Sequence, residues 1–146
     1  MLTVYRASAG AGKTHKLTGE YLTLLFGGTG AYRRILAVTF TNKATDEMKS
    51  RIVEELYNLS SGRKSDYVES LRATYVLTEE QVRKQAKKIL TDILHDYSAF
   101  NISTIDRFFQ QTMRAFTREI GLQGGYVGYE DQPILEAVRQ NPNTVF

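Results

Sequence analysis

The chain has 146 residues, 42% of them hydrophobic and 24% charged, with a formal net charge of +3. That is ample for one buried core; it excludes a disordered polyelectrolyte and, because there is no cysteine, any disulfide scaffold, thiol catalysis or zinc–thiolate site. The apolar runs YLTLLF and ILAVTF are too short to span a bilayer and no secretion signal opens the chain, so a cytoplasmic protein without a membrane partner is expected.

Residues 2–5 form an apolar run that reads as a buried strand feeding the turn ASAGAGKT. From Lys13 to about Phe26 a helix is predicted, with Leu17, Tyr21, Leu24 and Leu25 on one stripe, and GGTG stops it. ILAVTF, residues 35–40, reads as a second buried strand. A helix from residue 42 or 43 to 59 follows, carrying Ala44, Met48, Ile52, Leu56 and Leu59 at helical spacing. SSGRKSD, residues 60–66, is the clearest loop. TEEQ at 78–81 has the spacing of a capping box and opens a helix with Val82, Ala86, Ile89, Ile93 and Leu94. AFNISTI, residues 99–105, is the third strand candidate, and a further helix carries Ile105, Phe108, Phe109, Thr112, Met113 and Phe116. GLQGGYVGYED then reads as a turn before the helical-looking PILEAVRQ. Strand, glycine-rich turn, helix, strand and helix together predict an α/β unit, a parallel sheet flanked by helices with ligands at the carboxyl ends of its strands.

A loop that grips phosphate turns its backbone N–H groups inward, which requires small side chains. Ser8, Ala9, Gly10, Ala11 and Gly12 satisfy this, while Ala7 replaces only the entry glycine of the usual pattern. Lys13 supplies a cation for the β- and γ-phosphates, the Thr14 hydroxyl a ligand for magnesium, and His15 continues the stretch assigned to nucleotide. At the end of the second strand, Thr39, Phe40, Thr41, Asn42 and Lys43 combine hydroxyls, an amide, a cation and a flat ring just before a helix begins. Such a set can hold single-stranded nucleic acid; equally, Phe40 can be core and Lys43 merely solvated. The basic residues Lys43, Lys49 and Arg51, and Arg107, Arg114 and Arg118, could line a polyanion path or be ordinary surface.

ASAGAGKT followed by ILAVTFTNKATDEMKSRI resembles motifs I and Ia of the UvrD/RecB-type superfamily 1 DNA helicases, and ISTIDRFFQQTMRAF, residues 102–116, resembles their motif Ic. The ASAG form of the loop is closest to the RecB and AddA branch. The resemblance covers about residues 1–120. It implies a P-loop, RecA-like ATP-binding domain with a helical insert at about 60–98, with 121–146 as the truncated start of the next subdomain. It also implies ATP and Mg²⁺ as cofactors, held by Gly10 to Thr14, and single-stranded DNA as partner. Thr39 to Lys43 would face that DNA, with Ser103, Thr104 and Asp106 contributing nearby. Asp106 stands where many relatives carry histidine, and an acidic group there would repel phosphate. The glutamine segment that reads adenine in relatives is absent upstream.

Hydrolysis needs an acidic pair at a strand end and usually an arginine. Glu130 and Asp131 read instead as a surface turn, so the chain is expected to be an N-terminal fragment without turnover of its own. It would work with the missing C-terminal domains and, in a helicase–nuclease, with a partner subunit. Its short sheet is expected to leave an edge prone to self-association. Two other readings stand beside this one: a non-catalytic nucleotide- or DNA-binding module, and a small-molecule kinase, in which the TFTNKATDEMK stretch has no natural place.

Overall fold

The computed structural model describes residues 12–119, with side chains through residue 117. The chain divides into two compact units, Met1–Phe108 and Phe109–Phe146. In order, the described elements are α1 (Gly12–Phe26), a 3-10 turn at Ala31–Arg33, β1 (Ala37–Thr39), α2 (Asn42–Ser61), α3 (Val68–Tyr75), α4 (Glu79–His95), a 3-10 turn at Tyr97–Ala99, β2 (Ile102–Thr104) and α5 (Ile105–Glu119). The strand expected at 2–5, and everything expected beyond residue 119, lie outside the described residues. Among the described residues no helix is long and apolar enough to cross a membrane.

The architecture is mixed: helices with a small parallel sheet of two strands, in the register Ala37↔Ile102, Val38↔Ser103 and Thr39↔Thr104. Both strands are shorter than expected. A 3-10 turn consumes Tyr97–Ala99 before β2, and residues 35, 36 and 40 flank β1 without joining its ladder.

The core is built mainly by α1, α2 and α4, through residues such as Leu22, Leu25, Ile52, Leu56, Val82 and Ile93. Each large aliphatic side chain so enclosed contributes about 1.5–3 kcal/mol. The α2 stripe follows expectation at Met48, Ile52, Leu56 and Leu59, but Thr45 rather than Ala44 completes it. On α1, Tyr21 and Leu25 are buried as expected, but Leu17 and Leu24 are 47% and 55% exposed, and Thr18, Leu22 and Phe26 complete the inward face instead. Thr18 can be buried because its hydroxyl donates to the Thr14 carbonyl at 2.8 Å, leaving no unmet polar group. On α4, Val82, Ala86, Ile89 and Ile93 are buried as expected, whereas Leu94 is exposed, one residue round from the stripe.

The helix boundaries have local causes. α2 extends through Ser60 and Ser61 and ends at Gly62, whose φ of 67° lets its N–H reach back to the Asn58 and Leu59 carbonyls. α4 starts on the expected capping box: Thr78 accepts from the Gln81 N–H, and the Gln81 side chain accepts from the Thr78 N–H at 2.8 Å. α3 is a short helix with one buried residue, Leu71. Its flanks are tied to α1: Tyr67 donates its hydroxyl to the His15 carbonyl, and Tyr75 donates to the Thr23 carbonyl.

Candidate nucleotide and nucleic-acid site

Parallel pairing of β1 with β2 sets Thr39 opposite Thr104, so both strands end at the same edge of the sheet. Each strand is followed almost at once by a long helix, α2 after β1 and α5 after β2. The N-termini of these helices, with their unpaired N–H groups and partial positive charge, therefore start from the same end of the sheet.

Local hydrogen bonds explain why the chain turns there. Thr41 is the N-cap of α2, extended at φ −129° and ψ 152°, and its hydroxyl accepts from the Ala44 N–H at 3.1 Å. The Thr39 and Thr45 hydroxyls meet at 2.6 Å, and both lie within reach of the Thr41 carbonyl, at 3.1 and 3.2 Å. Thr39 is thus engaged in holding the strand-to-helix turn. Thr41 is exposed, and its hydroxyl finds no acceptor among the described residues. Thr104 accepts from the Arg107 N–H at 3.2 Å and so caps the start of α5, while Ser103 donates locally to the Thr104 carbonyl at 3.3 Å.

Phe40 is 87% exposed, which removes it from the core. Asn42 and Lys43 are also exposed in the first turn of α2, and Lys43 Nζ lies 3.9 Å from Glu47 Oε1, a long, weak contact. Asp106 is exposed in the first turn of α5, where the helix dipole favours a carboxylate. Arg107, next to it and exposed, offers a cation at the same place. Arg107 is one of the basic residues that the sequence offers for a polyanion path, whereas Thr45 is not marked there as a site residue; the signal available for it is a threonine within a turn of a strand-to-helix junction.

Of the phosphate-loop stretch, Ser8, Ala9, Gly10 and Ala11 lie outside the described residues. Gly12 opens α1, and nothing described lies within 4 Å of where a side chain on it would begin. Lys13 and Thr14 are exposed in the first turn, and neither side chain meets a partner among the described residues. His15 is placed differently: its ring stacks on Tyr67 with centroids 4.8 Å apart, and Nε2 lies 3.5 Å from Asp66 Oδ2. A groove between the Gly28–Tyr32 segment and α4, rimmed by Lys84 and Lys88, contains none of these residues.

The sequence matches the UvrD/REP helicase N-terminal domain over residues 2–144, and the chain belongs to that family. Among particular proteins, it is similar to the RecBCD enzyme subunit RecB of Borreliella burgdorferi, 33% identical over 119 residues, covering 78% of this chain and 9% of that protein. It is also similar to an ATP-dependent helicase/nuclease subunit of Lactobacillus acidophilus, 32% identical over 134 residues, covering 92% of this chain and 9% of that protein. RecB of Escherichia coli is 29% identical over 137 residues, with 88% of this chain and 12% of that protein covered. The chain thus spans only 9% to 12% of the length of these relatives. No solved structure matches it.

Proposed function

We propose that this chain is the ATP- and single-stranded-DNA-contacting part of an ATP-dependent DNA helicase or translocase of the RecB/AddA branch, acting in repair or recombination. Its fold would be a RecA-like P-loop unit spanning about residues 1–120, with the helices of 60–98 as an insert and 121–146 beginning the next subdomain. The observation that carries this reading is the exposed ring of Phe40 at the common carboxyl end of β1 and β2, beside two helix N-termini.

In this reading Ser8 to His15 hold the nucleotide, with the Lys13 ammonium on the β- and γ-phosphates and the Thr14 hydroxyl on magnesium. The described residues fit that role: the Lys13 and Thr14 side chains at the start of α1 are exposed and meet no partner among the described residues. Magnesium would arrive with the triphosphate. Bound magnesium would neutralise charge on the phosphoryl oxygens.

Single-stranded DNA would lie across Thr41, Asn42 and Lys43, with a base on Phe40 and the backbone approaching Ser103 and Thr104. Asp106 would discourage close approach of a phosphate at its own position. In this reading the chain binds without turnover of its own, and hydrolysis would need the longer polypeptide and, in a helicase–nuclease, its partner subunit.

The test is ATPase activity of the longer protein that contains this chain. It should rise with single-stranded DNA and vanish in Lys13→Ala; a rate indifferent to DNA would refute the translocase reading.

A further inference from the structure

We infer that Tyr67 is a positioning residue for the phosphate-binding end of α1, coupling it through the 62–67 segment to α2. The inference rests on the nucleotide reading above.

Four observations converge on this side chain. Its hydroxyl donates to the His15 carbonyl at 3.1 Å, in the turn that carries Lys13 and Thr14. Its ring stacks on the His15 imidazole at an interplanar angle of 27°. The ring edge lies against Gly19, one turn further along α1, where a side-chain carbon would come within 3.1 Å of it. Finally, the Tyr67 N–H donates to Ser65 Oγ at 3.3 Å, and Ser65 Oγ donates to Glu55 Oε2 on α2 at 2.8 Å.

Glycine in a helix interior is disfavoured relative to alanine, so Gly19 is explained by the room the ring takes. Tyr67 is 6% exposed, and burial first, then the Glu55 carboxylate, push its pKa up. The phenol therefore keeps its proton at neutral pH and remains a donor. Asp66 Oδ2 lies 3.5 Å from His15 Nε2, on the same side of α1 as Tyr67. The first turn of α1 is thus gripped on its backbone, on its one aromatic side chain and at the glycine beneath. The two residues that grip it, Asp66 and Tyr67, directly precede α3 and are tied through Ser65 to Glu55 on α2, the helix whose start carries Asn42 and Lys43. A shift of α2 or of the insert would move the phosphate-binding turn through Tyr67.

The experiment measures binding of two probes, magnesium ATP and magnesium tripolyphosphate, to the 146-residue chain, at a temperature where every variant is fully folded by near-ultraviolet circular dichroism. Tyr67→Phe keeps the stack and loses the hydroxyl bond; Tyr67→Leu loses both. Tyr67→Phe should weaken both probes about fivefold and Tyr67→Leu by more, with equal losses for the two probes because the phosphate end is what moves. A merely structural role would shift the unfolding midpoint and leave the affinity of the folded chain alone. Lys13→Ala separates the two claims. If it abolishes binding while folded Tyr67→Leu binds as the unaltered chain does, the positioning inference is overturned and the nucleotide reading stands. If Lys13→Ala binds normally, or the unaltered chain binds neither probe, both are overturned.

Discussion

Thr39 and Thr45 meet hydroxyl to hydroxyl at 2.6 Å, across the turn that takes the chain from β1 into α2. The pair closes the Thr39–Thr45 segment like a clasp, and it leaves Phe40 pointing out of the fold between its two ends. Exposure of Phe40 is therefore a consequence of how its neighbours are bonded, and not of a missing core.

This clasp predicts coupled stability effects. Thr39→Val and Thr45→Val each preserve shape and remove one hydroxyl, and each should cost about 1 kcal/mol in urea unfolding. The double variant should cost less than the sum, because the 2.6 Å contact is lost once only. Strict additivity would mean that the contact contributes nothing.

The Tyr21 hydroxyl is buried and has no hydrogen-bond partner among the described residues. Removing it in Tyr21→Phe should therefore be neutral or stabilise by about 1 kcal/mol, unlike most core substitutions. Burial also raises the Tyr21 pKa well above the ordinary tyrosine range. The unfolded chain then loses this proton first, above about pH 10, so stability is complete below that pH and falls as pH rises further. Denaturant melts at about pH 8 and about pH 11 should show a smaller alkaline loss in Tyr21→Phe than in the unaltered chain. Equal losses would place the phenol in contact with water or a partner.

Val76 ends α3 in the left-handed region, at φ 53° and ψ 49°, and is 90% exposed. A β-branched residue is strained there, and its side chain packs on nothing that would offset the strain. Val76→Gly should stabilise by about 1 kcal/mol, read as a rise in the denaturation midpoint. At Gly62 the sign reverses. Its φ is 67° and a side-chain carbon would come within 2.5 Å of the Arg83 guanidinium, so Gly62→Ala should destabilise by about 1 kcal/mol or more.

The sequence pattern made some of this legible and not the rest, for physical reasons. The α2 stripe at Met48, Ile52, Leu56 and Leu59 and the Thr78–Gln81 capping box are short-range features, fixed by helical period and by one pair of reciprocal hydrogen bonds. On α1, Tyr21 and Leu25 are legible, but hydrophobicity favours Leu17 and Leu24 where packing selects Thr18, which hides its hydroxyl on its own helix. α3 escaped because eight residues with one buried leucine carry almost no period; what holds its flanks are bonds from Tyr67 and Tyr75 to residues 52 positions away. At the candidate site, the order of the motifs was readable. The exposure of Phe40 and the commitment of Thr39 to Thr45 were not, since both depend on how the turn closes.

The central claim is that the strand ends carrying Phe40 and Lys43 receive unpaired DNA, and fluorescence anisotropy of a labelled oligothymidylate across a salt series tests it most directly. Phe40→Ala should weaken binding about tenfold at fixed salt, the loss of one stacked base. Lys43→Ala should flatten the dependence of log affinity on log salt by about 0.7, the loss of one phosphate contact on a single strand. Unchanged affinity in Phe40→Ala, together with an unchanged salt slope in Lys43→Ala, would contradict the account.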